Sequence, residues 1–171
     1  MGCSVCQRFG VVSFAATPTA QYLCDVVLWE AVLNDNPQLV GIVELGTWQG
    51  GFSWFLHMQA QARGLSFTTY DVQKPDRDDI PGFVQTDIYR YANELGLEFG
   101  QLGPIALFCD GGNKPRELNT FPPFLAPQSV ILVHDWGTET LQSDVPEFVE
   151  ELYGDFCDSI GSVTRVFRMK P

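Results

Sequence analysis

The clearest chemical signature in the sequence is a glycine-containing loop, ELGTWQGG, at residues 44–51. Gly46 and Gly50 allow the backbone to turn sharply and to come close to a ligand. Their G-x-x-x-G spacing differs from the G-x-G-x-x-G of a dinucleotide-binding loop, and the carboxylate of Glu44 ahead of them would repel a pyrophosphate. A P-loop is excluded because Gly51 is followed by Phe-Ser and not by Lys and a hydroxyl residue. The loop therefore favours a ligand that carries an amino group.

Polar residues also follow the other apolar runs of the sequence. Each run is predicted to form a buried strand, and in an open α/β sheet the ligand site lies beyond the carboxyl ends of the strands. Any one of these residues could simply cap the helix that follows, but together they indicate a binding site at that edge of the sheet. The strand-end residues are Glu44 with Gly46, Asp71, Asp87, Asp110 and the pair His134–Asp135.

Strand and helix patterns alternate along the chain, which is typical of a parallel sheet with helices on both faces. We predict a single α/β domain at residues 17–171, preceded by an N-terminal arm at 1–16. The predicted strands cover 40–45, 66–70, 82–86, 104–109, 130–133 and 162–168, and the predicted helices cover 17–34, 51–63, 89–97 and a segment that starts near Pro146.

Three local features refine this layout. Thr17-Pro18 is predicted to start the first helix, with Gln21, Asp25 and Asn34 on its exposed side. Prolines 115, 122 and 123 predict that the helix after the 104–109 strand is short or broken. The segment 156–160 is the one candidate for an additional strand.

Charge and composition restrict the partners of the protein. The chain has 171 residues and a formal net charge of −11, with only 10 Lys and Arg. Nucleic acids and anionic membranes attract clustered basic residues, so neither is an expected partner. No apolar run approaches the roughly 20 residues of a membrane span, and no secretory signal is evident, so we predict a cytoplasmic protein. A small-molecule ligand fits better.

The five cysteines do not form the pattern of a disulfide framework. Cys3 and Cys6 have half of a zinc-site spacing, but no second pair follows them. Cys24 and Cys109 lie in apolar runs and are predicted to be small core residues.

The glycine loop and the strand-end acids resemble the class I S-adenosylmethionine-dependent methyltransferases across residues 18–168. Their first motif, acidic-x-G-x-x-x-G, is matched by Glu44, Gly46 and Gly50, with Thr47 and Trp48 between the glycines. The resemblance implies a Rossmann-like methyltransferase fold with a mostly parallel sheet and an antiparallel C-terminal strand. It also implies that this loop binds S-adenosylmethionine.

Two strand-end acids acquire roles through the same resemblance. It places Asp71 on the ribose hydroxyls of the cofactor and Asp87 near its adenine. Asp110 would also lie beside the cofactor.

The segments FCDGGN at 108–113 and FLAPQSVILVHDW at 124–136 are similar to one branch of that superfamily. The branch contains cephalosporin hydroxylase-like, rhamnosyl O-methyltransferase-like and catechol O-methyltransferase-like proteins. In its metal-dependent members these two strand ends hold a Mg²⁺ ion that grips the substrate oxygens. By position, Asp110 and Asp135 would be the metal carboxylates, with His134 beside them. The implied reaction is methyl transfer to an oxygen of a small molecule.

Alternatives remain open at the same residues. His134 stands where some relatives have an acid and favours softer metals than Mg²⁺, so it is either a metal ligand, a general base of a metal-free enzyme, or a structural histidine. Lys114 is a second candidate base if burial depresses its pKa, and is otherwise a solvated surface residue. Asp135 could instead close the chain reversal before Gly137. Four aromatic residues are candidates for lining an acceptor pocket: Trp48, Trp136, Phe121 and Phe124.

Two rival functions share this fold. One is a different chemistry, such as a hydroxylase-like or aminopropyl transferase-like reaction, and the other is a catalytically silent binding protein. We also expect an open cleft that residues 1–16 or a second subunit would close, with a homodimer as the generic oligomer.

Overall fold

The computed structural model describes residues 13–171 and consists of a central sheet with helices on both faces. The predicted arm at 1–16 falls largely outside these residues, as do Cys3 and Cys6. The helices and strands are β1 (Ser13–Phe14), β2 (Thr17–Pro18), α1 (Leu23–Asp35), β3 (Gly41–Leu45), α2 (Gly51–Arg63), β4 (Ser66–Asp71), β5 (Phe83–Gln85), α3 (Ala92–Leu102), β6 (Ile105–Cys109), α4 (Lys114–Thr120), β7 (Val130–Val133), β8 (Val149–Leu152), α5 (Gly154–Ile160) and β9 (Arg165–Met169), with 3-10 turns at Pro122–Phe124 and Gln142–Asp144.

The main sheet has seven strands in the order β5-β4-β3-β6-β7-β9-β8. The strands from β5 to β7 are parallel, and β9 runs antiparallel to both of its neighbours. Every residue of β3, β6 and β7 is buried, as expected for strands covered on both faces. The predicted mostly parallel sheet with an antiparallel C-terminal strand is confirmed.

The core lies in two layers, one on each face of the sheet. Helices α1, α2 and α5 cover the first face, where Trp29 meets the ring of Phe108 edge-on at 5.3 Å between centroids. The second face is covered by α3 and α4, and Phe99 packs there on Phe121 at 5.6 Å. None of the helices within residues 13–171 is long and apolar enough to cross a bilayer.

The predicted start of the first helix at Thr17 is wrong. Thr17–Pro18 pairs antiparallel with Ser13–Phe14, and the helix begins six residues later, at Leu23. Contacts distant in sequence hold this hairpin: Arg77 donates to the carbonyl oxygen of Ala15 and to Thr17 Oγ1. A β-carbon at Gly51 would lie 2.1 Å from the Pro18 carbonyl oxygen, so the hairpin rests directly on the start of α2.

The C-terminal predictions need a second correction. The segment after Pro146 continues into strand β8 and not into a helix, while 156–160, the candidate strand, belongs to helix α5. Strand β8 lies at the sheet edge, where charged residues are tolerated, and its Glu150 pairs with Arg168 of β9 at 2.5 Å.

Proline and glycine residues shape α3 and α4, the two helices on the second face of the sheet. The predicted short helix after β6 is confirmed, because α4 has seven residues and gives way to the 3-10 turn at Pro122–Phe124. Helix α3 extends beyond the predicted end at 97 to Leu102. Its Gly96 and Gly100 allow Phe124 to pack closely, since a β-carbon at either glycine would lie within 2.5 Å of that residue.

Candidate active site

A cavity of about 520 Å³ opens at the carboxyl ends of the parallel strands. Its lining brings together nine of the eleven residues that the sequence assigns to the site. Gly50 and Asp87 are the two that do not line it. The nine are Glu44, Gly46, Thr47, Trp48, Asp71, Asp110, Lys114, His134 and Asp135.

The two motif glycines have separate steric reasons. Gly46 has a φ of +99°, and a β-carbon there would lie 2.4 Å from the carbonyl oxygen of Asp110. Gly50 has a φ of +80° and faces the side chain of Ile80, which a β-carbon would approach to 2.3 Å. The loop is thereby pressed against the end of β6 on one side and the β4–β5 connection on the other. This packing accounts for the G-x-x-x-G spacing without any ligand.

Asp71 ties the end of β4 to the glycine loop. Its Oδ2 accepts hydrogen bonds from the backbone N–H groups of Thr47 and Trp48, both at 3.0 Å, and its Oδ1 accepts from Gln73 N at 2.9 Å. Trp48 has a left-handed φ of +48° and keeps 54% of its surface exposed at the rim of the cavity. Asp71 therefore organises the turn after β4 and also lines the cavity.

Glu44 lies at the bottom of the cavity and is 1% exposed. Ser53 Oγ donates a hydrogen bond to its carboxyl group. Burial raises the pKa of Glu44 to about 8, against the opposing effect of the Ser53 hydrogen bond. In the ligand-free protein this carboxyl group is therefore largely protonated at neutral pH.

Asp110, His134 and Asp135 form a compact cluster at the ends of β6 and β7. His134 Nδ1 lies 3.1 Å from Asp110 Oδ1 and 3.4 Å from Asp135 Oδ2. One ligand atom from each of the three residues falls within 4.8 Å of the other two, which is a spacing that a metal ion could bridge. Asp135 also closes a chain reversal, with a φ of +56° and its carbonyl oxygen accepting from Thr138 Oγ1.

Lys114 is part of this cluster, and the alternative prediction that it is a solvated surface residue is wrong. It begins α4 and is only 5% exposed. Its Nζ lies 2.8 Å from Glu139 Oε2, 3.0 Å from Asp135 Oδ2 and 3.7 Å from Asp110 Oδ1. Three carboxyl groups thus surround one ammonium group.

These contacts set the protonation states. Burial alone would lower the pKa of His134, but the hydrogen bond and negative charge of Asp110, together with Asp135, raise it to about 10. Burial likewise opposes the charge of Lys114, but the hydrogen bond to Glu139 and the charge of Asp110 raise its pKa above the usual value. The hydrogen bond from His134 lowers the pKa of Asp135. Both groups therefore favour their protonated forms in this state, and the depressed pKa that a catalytic base at Lys114 would need is not found. The role of His134 as a general base stays a prediction.

Asp87 lies apart from the cavity on an exposed turn. Its Oδ1 accepts from the backbone N–H groups of Tyr89 at 3.0 Å and Arg90 at 3.2 Å. The nearest recess is a small one of about 70 Å³, lined in part by Ile88, Tyr89 and Glu117. The predicted contact of Asp87 with adenine stays a prediction.

Of the four aromatic residues that were candidates for an acceptor pocket, Trp48 alone lines the cavity. Phe121 is fully buried in the second core layer, and Phe124 packs on Gly96. Trp136 packs on Phe167, with 5.8 Å between ring centroids. Packing accounts for these three positions.

Gln21 and Asp25, which were predicted to lie on an exposed helix face, are both buried beside the cluster. Gln21 is 3% exposed, and its Nε2 donates to Asp110 Oδ2. Asp25 is fully buried, and its Oδ2 lies 3.9 Å from His134 Nε2. Both residues were predicted to be exposed because they are polar, and the partners that bury them, Asp110, His134 and Ser162, lie far along the chain.

The fold is a Rossmann-like methyltransferase fold, as the resemblance implied. Among solved structures, the chain is similar to the MycE methyltransferase from the mycinamycin biosynthetic pathway, determined in complex with Mg and SAH. The superposition has a TM-score of 0.56 at 12% sequence identity and covers 85% of this chain and 46% of that one. The chain therefore spans less than half of that protein's length. No protein-family model and no curated protein matches the sequence.

Proposed function

We propose that the protein binds S-adenosylmethionine in the strand-end cavity and directs its methyl group to an oxygen of a small molecule, assisted by a divalent cation at the Asp110–His134–Asp135 cluster. The observation that carries this proposal is the junction between the glycine loop and Asp71. At this junction the loop backbone, which can approach a ligand closely, lies next to the Asp71 carboxylate in the lining of the cavity. The structural neighbour, whose complex contains Mg and SAH, supports the proposal at the level of the fold.

Cofactor binding follows from the lining of the cavity. Its volume of about 520 Å³ lies in the range of small-molecule sites. Each carboxylate oxygen has two acceptor positions. Oδ2 of Asp71 already accepts from two loop N–H groups, but Oδ1 accepts from one, so Oδ1 can accept from a ribose hydroxyl while Asp71 still holds the loop. Glu44, together with the acidic groups around it, would stabilise the positive charges of the cofactor. A bound ammonium group near Glu44 would lower the pKa of that residue and restore its charge.

The donor set of the cluster fits a divalent cation. Asp110 Oδ1, Asp135 Oδ2 and His134 Nδ1 converge, and two carboxylates with one imidazole suit Mn²⁺, Fe²⁺ or Zn²⁺ as well as Mg²⁺. His134 would have to release its Nδ1 proton, and the Lys114 ammonium would have to withdraw from Asp135, before an ion is held. When bound, the cation would polarise an acceptor hydroxyl and lower its pKa.

The reaction requires little covalent chemistry from the protein. The acceptor oxygen would form a bond to the methyl carbon as the carbon–sulfur bond breaks. The electron pair of that bond would stay on sulfur, so that S-adenosylhomocysteine leaves, and the hydroxyl proton of the acceptor would pass to solvent water. The chain's own task is to align the two partners, since such positioning can remove a large part of the barrier. The side chain of Trp48 at the rim offers an apolar surface to whichever ligand enters.

Calorimetric titration with S-adenosylhomocysteine, with and without Mg²⁺, tests the proposal. We expect micromolar binding, which corresponds to about −8 kcal/mol. Incorporation of a labelled methyl group into a panel of hydroxylated acceptors then tests the reaction itself. Absence of S-adenosylhomocysteine binding under both conditions would contradict the proposal. Intact binding without transfer would instead favour a different chemistry on this fold.

A further inference from the structure

Contacts hold the imidazole of His134 on two of its three sides. Its Nδ1 faces the two cluster carboxylates at 3.1 and 3.4 Å. The ring of Phe108 packs against it edge-on at 6.2 Å between centroids. The third side carries Nε2, which is buried and has no hydrogen-bond partner within residues 13–171. A buried imidazole nitrogen without a partner is costly, so its surroundings need an explanation.

The polar group that faces this nitrogen is the carboxyl group of Asp25 on helix α1. Asp25 is fully buried, and its Oδ2 lies 3.9 Å from His134 Nε2. Ser162 Oγ donates to Asp25 Oδ1 at 2.7 Å, and the backbone N–H of Tyr22 donates to Oδ2 at 3.0 Å. The carboxyl group is therefore held by the N-cap of its own helix and by the loop before β9, with Oδ2 on the side of the histidine. A small closure of the gap would give Nε2 its acceptor.

We propose that Asp25 is a positioning residue for His134. It keeps the remaining ring proton on Nε2, so that Nδ1 stays turned toward Asp110 and Asp135 as the nitrogen offered to a divalent cation. This inference rests on the proposed metal role of the cluster. It follows a general pattern in which a metal-ligating histidine donates its other N–H to a carboxylate or carbonyl group, which fixes the ring and its tautomer.

A purely structural role for Asp25 has to be separated from this one. Asp25 also accepts at the start of α1 and binds Ser162, so its replacement would lower stability in either case. Ser162→Ala is the matched control, because it removes one anchor of the same carboxyl group and leaves the Oδ2 facing His134 in place. A structural role predicts that both variants lose stability with equal zinc affinities. A positioning role predicts that zinc affinity separates them.

The test uses Zn²⁺, which is diamagnetic and binds imidazole well. The full chain carries Cys3→Ser and Cys6→Ser so that these thiols do not capture the ion, and His57→Gln so that His134 is the only histidine. Zinc affinity is measured by calorimetry for this background and for Asp25→Asn and Ser162→Ala in it. Nitrogen-15 spectra of the zinc-loaded background report which ring nitrogen carries the proton.

We expect zinc affinity to fall about 10- to 100-fold in Asp25→Asn and to stay within about twofold in Ser162→Ala. We also expect the proton on Nε2. Equal affinities for Asp25→Asn and its background, or a proton on Nδ1, would overturn the inference. The spectra need no Asp25 variant, so a proton on Nδ1 would overturn the inference even if Asp25→Asn does not fold. A background protein that binds S-adenosylhomocysteine but no zinc would refute this inference and the metal role while leaving the cofactor proposal intact.

Discussion

Replacement of Asp71 by alanine tests the glycine-loop junction most directly. The change removes the acceptor of two loop N–H groups, those of Thr47 and Trp48. Thr47 is 4% exposed, so its N–H loses a charged partner in a buried position, at a cost of about 1–3 kcal/mol. Trp48 is exposed and its N–H can turn to water. A loss of about 2 kcal/mol lowers the melting temperature of a chain this size by about 4–8 °C.

The effect of the same change on ligand binding can be estimated separately. A hydrogen bond to a charged group contributes about 1.5–3 kcal/mol, so losing one ribose contact weakens binding about 10- to 150-fold. Calorimetry with S-adenosylhomocysteine measures this directly. Asp71→Asn keeps an oxygen that can accept from the loop, so we expect it to retain most of the stability and still to lose affinity.

Asp87→Ala tests the other strand-end acid in the same two measurements. Asp87 also accepts from two backbone N–H groups, but on an exposed turn away from the cavity. We expect near wild-type stability, because the turn is exposed; weakened affinity would support the predicted adenine contact, and wild-type affinity would contradict it. Wild-type affinity in Asp71→Ala would refute the assignment of Asp71 to the cofactor ribose.

Proton and metal equilibria in the same cavity give three further tests. Because the pKa of His134 rises from 6.5 to about 10 on folding, its contribution to stability is complete below pH 6.5 and is lost as the pH approaches 10. The free energy of unfolding, measured by denaturation from pH 6 to 10, should therefore decline more steeply in the wild type than in His134→Gln. A His134 resonance that titrates near 6.5 would contradict this. Because the pKa of Glu44 is near 8, the ammonium group of a bound ligand should expel the proton from the Glu44 carboxyl group. Binding of S-adenosylhomocysteine at pH 7 should therefore release protons in the wild type and not in Glu44→Gln. Calorimetry in two buffers of different ionisation enthalpy measures this release. Lys114→Met removes the ammonium group 3.0 Å from Asp135 and should therefore tighten Mn²⁺ binding. In the wild type, Mn²⁺ binding should also tighten as the pH rises, because His134 must lose a proton before it can bind the ion. A Mn²⁺ affinity that neither change affects would place the ion elsewhere.

The parts of the fold that were predictable from sequence are those with local causes. Strand β7 is a continuous apolar run, and its predicted bounds, 130–133, are those observed. Helix α2 lies between Gly50 and Gly64, both with positive φ, and its predicted bounds were also correct. Gly46 could be assigned because a close approach to a neighbouring strand end requires glycine.

The parts that were missed depend on partners far along the chain. Thr17-Pro18 has the local pattern of a helix start, but it forms a strand of a hairpin that accepts hydrogen bonds from Arg77. Lys114 lies in a polar segment that looks solvated, but Glu139 and the β7 end bury it. Gln21 belongs to no sequence motif, and its hydrogen bond to Asp110 forms only because the fold brings the two residues together. Contacts of this kind leave no periodic pattern in the sequence from which they could be predicted.

The hairpin at Ser13–Pro18 has a consequence for the order in which the molecule assembles. Its own strands pair locally, but Arg77 holds it against α2 from 62 residues away. The adjoining Gln21 reaches across 89 residues to Asp110, and Asp25 reaches across 137 to Ser162. Contacts of such long sequence separation form slowly, because the loops they close are entropically costly. During synthesis the contacts of Gln21 and Asp25 must therefore wait for Asp110 and Ser162, so the cavity wall at residues 19–22 is completed late.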